Sequence, residues 1–236
     1  MTAKADNAAS LPAGPTACDG QVFKRLAQAG RDWLDRHHAL VNQLNVFPVP
    51  DGDTGTNMLM TMRNAIKEIE TNPSDHVGQV AAQIAHGAMM GSRGNSGTIL
   101  SQLWQGFAHA LRDHKSLTPE LLVKGLREAS DTAYRGVIKP VEGTILTVVR
   151  ESSVGARAAA DAGGTLLAVA VAARDAGAES LRRTPELLPV LRDAGVRCQH
   201  QRSVRGLLRR RPASALSQAA SSRAVMARKS GTAQSG

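Results

Sequence analysis

Apolar residues recur at three- and four-residue steps along most of this chain, and this spacing constrains the fold more than any other feature. The first run contains Val22, Leu26, Ala29 and Trp33, with polar and charged residues between them, as an amphipathic helix requires. Aromatic residues make up only 3% of the chain, so small apolar side chains are available for close helix packing. The sequence therefore predicts an all-α fold.

Proline and glycine divide the chain into helical segments joined by short loops. Short connections predict antiparallel packing, as a bundle or a closed helical ring. Residues 1–18 lack periodicity and are predicted to be a disordered lead. The predicted helices cover about residues 22–44, 56–71, 75–90, 98–111, 118–135, 144–161 and 166–181, with a short piece at about residues 185–194.

The net charge of +9 invites a nucleic-acid interpretation, so its position along the chain matters. Nine of the 29 basic residues and none of the 20 acidic residues lie in residues 197–236. The remaining chain carries 20 residues of each sign, so its body is formally neutral. No nucleic-acid partner is expected for the folded body, and binding through the basic tail stays an alternative that a steep salt dependence would support.

The two cysteines, Cys18 and Cys198, have neither a CxxC spacing nor a Cys/His partner pattern, which favours a reduced cytosolic protein. The first residues include no apolar core of a secretion signal. No stretch reaches the roughly 18 apolar residues of a membrane span. We therefore expect a cytoplasmic location without a membrane span.

The aspartate loop, residues 45–55 with the sequence NVFPVPDGDTG, is the first of three loops that suggest chemistry. Asp51 and Asp53 flank Gly52, so in an extended loop both carboxylates project to one side. Magnesium often takes one or two carboxylates from a protein, while phosphates and water complete its shell. Capping of the following helix is the simpler role for these two acids.

The glycine/serine loop, residues 91–97 with the sequence GSRGNSG, precedes the fourth predicted helix. A helix start carries N–H groups without intrahelical partners and attracts anions. Glycines permit close approach of the backbone to phosphate, and Ser92, Asn95 and Ser96 add polar groups. The spacing differs from that of a Walker loop, and an ordinary capped turn remains the alternative.

The KPVEGT loop, residues 139–144, again puts glycine and threonine at a helix start. In an antiparallel arrangement, alternate loops lie at the same end. The three loops are therefore predicted to share one rim, as a metal-nucleotide site built from several helix starts requires.

Together the segments LNVFPVPDGDTGTNM (residues 44–58), GSRGNSGTILSQL (91–103) and KPVEGTILTV (139–148) closely resemble the N-terminal kinase domain of fatty acid kinase A. That domain is grouped with the DhaL subunit of dihydroxyacetone kinases. The resemblance covers residues 19–196, and it implies an eight-helix antiparallel barrel that binds ATP and Mg²⁺ at one rim.

The resemblance also implies roles for individual residues. Asp51 and Asp53 become magnesium ligands, and Asn45 is a further candidate because dihydroxyacetone kinase relatives place an aspartate near this position. The residues implied in nucleotide and phosphate binding are Thr54, Gly55, Thr56, Asn57, Ser92, Gly94, Asn95, Ser96, Gly97, Thr98, Glu142, Gly143 and Thr144.

In fatty acid kinases, a separate binding protein presents the acyl chain, and the product is an acyl phosphate. Thr54, where dihydroxyacetone kinase subunits commonly have histidine, favours this branch. The resemblance thus implies an ATP-dependent kinase with a fatty-acid-binding partner. A dihydroxyacetone kinase-like phosphotransferase and a nucleotide-binding module without turnover are the alternatives.

After Val196 the chain departs from the family pattern, which normally reads close to VDSGG-x-GL and enters a final helix. Acidic residues and apolar periodicity end here, while Arg, Ser, Ala and Gln become frequent. We expect residues 197–236 to be a basic, disordered tail produced by a shifted reading frame, with the eighth family helix missing or replaced. A natural basic tail for an acidic partner is the alternative.

Overall fold

The computed structural model describes residues 14–195, and within this range the chain folds into helices joined by short loops. The only strands among the described residues are β1 (Cys18–Asp19) and β2 (Ser116–Leu117), which pair antiparallel. The all-α prediction is confirmed for this part of the chain. In chain order the helices are α1 (Gly20–Gln43), α2 (Thr54–Ile69), α3 (Val77–Met90), α4 (Gly94–Leu111), α5 (Pro119–Gly136), α6 (Ile145–Asp161), α7 (Leu166–Leu187) and α8 (Pro189–Asp193).

Several helices begin at side chains that cap them. The Asp19 carboxylate accepts the N–H of Val22 at 2.9 Å and caps α1. The Thr118 hydroxyl accepts the N–H of Leu121 at 3.3 Å, and Pro119 occupies the first position of α5, where a missing N–H costs nothing. The start predicted for the fifth helix is confirmed.

The seventh helix is longer than predicted. It was expected to end near residue 181, with a separate piece from Pro185, but α7 continues to Leu187 with Pro185 inside it. Proline cannot donate to the carbonyl of Leu181, and the Thr184 hydroxyl donates to that oxygen instead, at 2.9 Å. This replacement hydrogen bond lets the helix pass through the proline before the short helix α8 begins.

Cys18, at the end of the predicted lead, belongs to the folded domain. It lies opposite Leu117 in the strand pair and is buried. Burial raises the pKa of its thiol to about 11, and the nearby Asp19 carboxylate adds to the shift. The thiol is therefore protonated at neutral pH. Residues 1–13 of the predicted lead lie outside the described residues.

The remaining predictions for the C-terminal region also lie outside the described residues. They are the basic tail at residues 197–236, its proposed origin and the fate of a longer eighth helix. The helix α8 has five residues, and it occupies part of the short piece predicted at residues 185–194. None of the helices in the described range is both long enough and apolar enough to cross a membrane.

Apolar faces of α1, α2, α3 and α4 enclose the largest core. The rings of Phe23 and Phe107 stack with centroids 5.9 Å apart, and Trp104 lies edge-on to both at 6.3 and 6.1 Å. Two smaller clusters join α4 to α6 and α5 to α7. Fully buried side chains of the large core include those of Ile69, Val77, Val80, Ile84 and Leu111.

Neighbouring helices run antiparallel, which determines where the loops lie. The Gln21 side chain, near the start of α1, donates to the carbonyl of Ser74, just beyond the end of α2, at 2.6 Å. At the other end of this pair, Gly55 packs directly against the carbonyl of His38. Ile99 of α4 and Ile145 of α6 pack against one shared apolar cluster. The starts of α2, α4 and α6 therefore lie at one end of the bundle, here called the rim.

Candidate functional site

The aspartate loop carries two carboxylates that have no described hydrogen-bond partner. Asp51 and Asp53 are both exposed. Asp53 stands at the capping position of α2, yet its side chain makes no capping hydrogen bond. The simpler role of these acids as helix caps is therefore not realised in the structure. No cluster of three or more His, Cys, Asp or Glu side chains suited to a metal occurs in residues 14–195, so the chain itself offers a cation two carboxylates here.

Two asparagine side chains, one on α1 and one in the aspartate loop itself, accept N–H groups at the start of α2. The Asn45 amide oxygen accepts the N–H groups of Asp53 and Thr54, both at 3.3 Å, and its nitrogen donates to the carbonyl of Val49 at 2.9 Å. The Asn42 oxygen accepts the N–H of Thr56 at 3.1 Å. Both lone pairs of Asn45 are thus engaged by backbone donors, and this residue holds the loop in shape.

Asn42 was not predicted from the sequence. Its nitrogen also donates to the Thr56 hydroxyl at 2.9 Å, so it makes two hydrogen bonds to one residue of α2. A signal was present in the sequence, because Asn42 and Asn45 are three residues apart and lie on one side of a helix end. Without the fold, nothing indicated that this side faces the start of α2.

The glycine/serine loop leads into a helix start that no side chain caps. The helix α4 begins at Gly94, inside the segment predicted as loop, and Gly94 itself has a positive φ of 57°. The N–H groups of Gly94, Asn95 and Ser96 have no acceptor in the described part of the chain. Arg93, at the capping position, makes no capping hydrogen bond. Three adjacent donors are therefore available to an anion.

The first two loops touch each other. The Ser96 hydroxyl donates to the carbonyl of Thr54 at 3.3 Å, which places the start of α4 beside the aspartate loop. The N–H of Arg93 donates to the Thr61 hydroxyl at 3.2 Å and anchors the same helix start on α2. The uncapped start of α4 therefore lies beside the loop that carries the two aspartates, as predicted from the antiparallel arrangement.

Two glycines of this loop serve helix packing. A side chain at Gly94 would overlap the Asn57 side chain, and one at Gly97 would overlap the Thr61 hydroxyl. The sequence suggested close approach to phosphate as the reason for glycine here, whereas the structure shows close approach of α4 to α2. Of the other predicted residues, Ser92 and Asn95 have side chains without a described partner, and the Thr98 hydroxyl donates to the Gly94 carbonyl at 2.9 Å.

The polar groups of the KPVEGT loop are hydrogen-bonded to other groups of the protein. The Glu142 carboxylate accepts hydrogen bonds from Arg150 at 2.7 Å, Thr147 at 2.6 Å and Tyr134 at 3.0 Å. The Gly143 N–H donates to the Thr147 hydroxyl at 2.8 Å. The Thr144 hydroxyl accepts the N–H of Leu146 at 3.4 Å and caps α6. The groups of the KPVEGT loop that were predicted to bind the nucleotide therefore all have partners inside the protein.

The Glu142 network changes the acid–base properties of its members. The hydrogen bond from Arg150 is the largest cause of a lowered pKa for the Glu142 carboxyl, against the opposing effect of burial. Burial, followed by the hydrogen bond to Glu142, raises the pKa of Tyr134. Glu142 is thus charged at neutral pH and committed to holding its own loop.

Replacing Glu142 with Gln is expected to lower the melting temperature by about 2–4 °C at pH 7, because a half-exposed pair contributes up to about 1 kcal/mol. A carboxyl whose folded pKa is lowered stabilises the protein above its unfolded pKa and loses that effect on acidification. The melting difference should therefore shrink as the pH falls below the ordinary carboxyl pKa. Glu186→Gln, at an exposed position without a described side-chain partner, is the control; a difference independent of pH would contradict this role.

A groove between α3, α4 and α5 lies away from the rim loops. It has a volume of about 500 Å³, and polar and charged side chains such as His109, Arg112, Glu128 and Arg135 line it. None of the predicted site residues contributes to it. The candidate site is thus an open, polar rim.

The described part of the chain is an all-α domain whose rim has an uncapped helix start next to the loop that carries two aspartates. The chain belongs to the DAK2 domain family, whose model matches residues 48–204. This match confirms the DhaL-type resemblance. The family is kinase-related and ATP-binding. The matched range extends beyond Val196 into the segment that was predicted to depart from the family. That segment lies outside the described residues.

Curated relatives match the same part of the chain. Protein YloV of Bacillus subtilis (strain 168) is 43% identical over 178 residues, which is 75% of this chain and 32% of YloV. The uncharacterized proteins SSP1546 of Staphylococcus saprophyticus and SAUSA300_1119 of Staphylococcus aureus (strain USA300) are each 40% identical over 178 residues, with the same coverage of 75% and 32%. The chain spans about a third of the length of these relatives.

Proposed function

We propose that this domain binds Mg²⁺ and ATP at the rim and transfers the terminal phosphoryl group to an acceptor. The observation that carries the proposal is the start of α4, where the N–H groups of Gly94, Asn95 and Ser96 have no described acceptor. The starts of α2 and α6 are occupied by side chains of the protein. The phosphates therefore belong at α4, where the helix dipole and Arg93 add positive potential.

Asp51 and Asp53 are the proposed magnesium ligands. Both carboxylates are exposed and without described partners, and Mg²⁺ commonly takes two such ligands together with phosphate oxygens and water. The bound ion would neutralise charge on the phosphates. Because both lone pairs of the Asn45 amide oxygen accept backbone N–H groups, we assign Asn45 to positioning of the loop instead of ligation.

The proposed acceptor is the carboxylate of a fatty acid. A carboxylate oxygen attacks the γ-phosphorus in line while the bond from that phosphorus to the bridging oxygen breaks, and acyl phosphate and ADP are released. No proton has to be removed from this nucleophile, so positioning and charge neutralisation account for the reaction. Thr54 at the position where dihydroxyacetone kinase subunits commonly have histidine supports this choice.

A separate cytoplasmic fatty-acid-binding protein is the proposed source of the acyl group. The groove between α3, α4 and α5 exposes charged side chains, among them Arg112, Glu128 and Arg135, which does not suit a long acyl chain. Two other functions make different predictions. A dihydroxyacetone kinase-like enzyme would convert dihydroxyacetone without a protein partner, and a binding module would hold ATP with magnesium but release no ADP with either acceptor.

The phosphate assignment is tested by removing one backbone donor. Proline is tolerated at the first positions of a helix, so Asn95→Pro deletes an N–H at little cost to the fold. We expect its ATP affinity, measured by calorimetry with Mg²⁺, to fall about tenfold or more, as for the loss of a hydrogen bond to a charged group. Asn95→Ala keeps the N–H and should lose much less. Equal affinities of the two variants, with unchanged melting temperatures, would contradict the assignment.

A further inference from the structure

Asn42 makes two hydrogen bonds to the first turn of α2, although it belongs to α1. Its oxygen accepts the N–H of Thr56 at 3.1 Å, and its nitrogen donates to the Thr56 hydroxyl at 2.9 Å. Thr56 is three residues after Asp53, the residue at the capping position. An aspartate at that position would normally accept this N–H itself.

The start of α1 provides an internal comparison. Asp19 occupies the capping position there, and its carboxylate accepts the N–H of Val22, three residues on, at 2.9 Å. Asp53 has the same relation to Thr56 and makes no such bond. The two helix starts differ in two ways. Asn42 already occupies the Thr56 N–H, and the backbone of Asp53 has a helical ψ of -4° where that of Asp19 is extended, as a capping residue requires.

We infer that Asn42 is a positioning residue that caps α2 in place of Asp53 and so leaves the Asp53 carboxylate available to a magnesium ion. This inference rests on the proposed function. A carboxylate that accepts a backbone N–H is held toward the helix, and rotating it to a cation breaks that bond. The second asparagine, Asn45, accepts the N–H groups of Asp53 and Thr54, which an Asp53 cap would not use, and it fixes the loop just before the helix.

Whether Asn42 caps α2 in place of Asp53 is tested in the full chain without metal. The measurement is hydrogen exchange of the Thr56 amide by NMR. Asp53→Ala should leave this amide protected, since Asn42 still accepts it. Asn42→Ala should also leave it protected, because the Asp53 backbone then turns to the extended form and its carboxylate takes over as the cap. The double variant Asn42→Ala/Asp53→Ala should exchange quickly. Loss of protection in Asp53→Ala alone, or in Asn42→Ala alone, would overturn the inference.

The consequence for the metal is tested by titrating Mg²⁺ at a fixed ATP concentration. Asn42→Ala should raise the Mg²⁺ concentration for half-maximal binding about tenfold, the expected cost of withdrawing Asp53 from a cap. Gln43→Ala, at the neighbouring exposed residue without a described side-chain hydrogen bond, is the matched control and should titrate like the wild type. An Asn42→Ala variant with wild-type Mg²⁺ dependence would overturn the inference.

The two tests separate the inference from the function on which it rests. If the wild type shows no Mg²⁺-dependent ATP binding, the proposed function fails. The exchange experiment would still decide whether Asn42 and Asp53 compete for the Thr56 amide, because it needs neither metal nor nucleotide.

Discussion

Asp51→Ala and Asp53→Ala are each expected to weaken Mg²⁺-dependent ATP binding by about 100-fold or more while leaving the helix content unchanged. Both side chains are exposed and make no described hydrogen bond, so their removal takes nothing from the core. Loss of a residue one shell further from a metal already costs about 10–100-fold in affinity, and a direct ligand should cost at least as much. Calorimetric titration of ATP with Mg²⁺ measures the affinity, and circular dichroism measures the helix content.

The control for this experiment is Asp113→Ala, which removes an exposed carboxylate at the opposite end of the bundle from the rim. It changes the net charge by the same amount and should bind ATP like the wild type. Wild-type affinity in either rim variant would exclude that aspartate as a metal ligand. A similar loss in Asp113→Ala would show that the effect comes from overall charge.

Gly97→Val is expected to destabilise the protein by about 2–3 kcal/mol, which corresponds to a fall of about 5–10 °C in melting temperature. A side chain at this position would overlap the Thr61 hydroxyl and approach the Asn57 carbonyl, where α4 crosses α2. The Thr61 hydroxyl donates to that carbonyl and accepts the N–H of Arg93, so the start of α4 should be displaced as well. Thermal unfolding monitored by circular dichroism measures the effect.

Gly30→Val is the matched control, because a side chain added at Gly30 meets open space on α1. It should leave the stability unchanged or raise it slightly, because valine has a higher helix propensity than glycine. If Gly97→Val melts like the wild type and loses only ATP affinity, then the glycine serves the phosphate, as first suggested from the sequence, and not the packing of α4 on α2.

The helices could be predicted from the sequence because periodicity and capping signals agree. Asp19 and Thr118 cap the helices that follow them, and the apolar residues of those helices lie on one face. The extension of α7 through Pro185 could not be predicted in this way. It depends on a side-chain hydrogen bond from Thr184 to the Leu181 carbonyl, which local proline rules do not include.

The aspartates and glycines of the candidate site could be predicted from the sequence. Which side chains cap the helix, and which carboxylates stay without a partner, could not. Asp51 and Asp53 stand out in the sequence, yet a free carboxylate and a helix cap look alike there. The deciding contacts join α1 to α2 through Asn42 and Asn45, and they exist only once the helices pack. For the same reason, the sequence could not show that Glu142 is bound by three partners from its own part of the rim.

The most direct test of the account is a calorimetric titration of ATP into the wild-type chain, performed once with Mg²⁺ and once with the divalent cation removed by a chelator. The uncapped start of α4 beside Asp51 and Asp53 predicts binding of about one ATP per chain with Mg²⁺, and affinity at least about tenfold weaker without it. Absence of binding in both titrations, or equal affinity in the two, would contradict a magnesium-dependent nucleotide site at this rim.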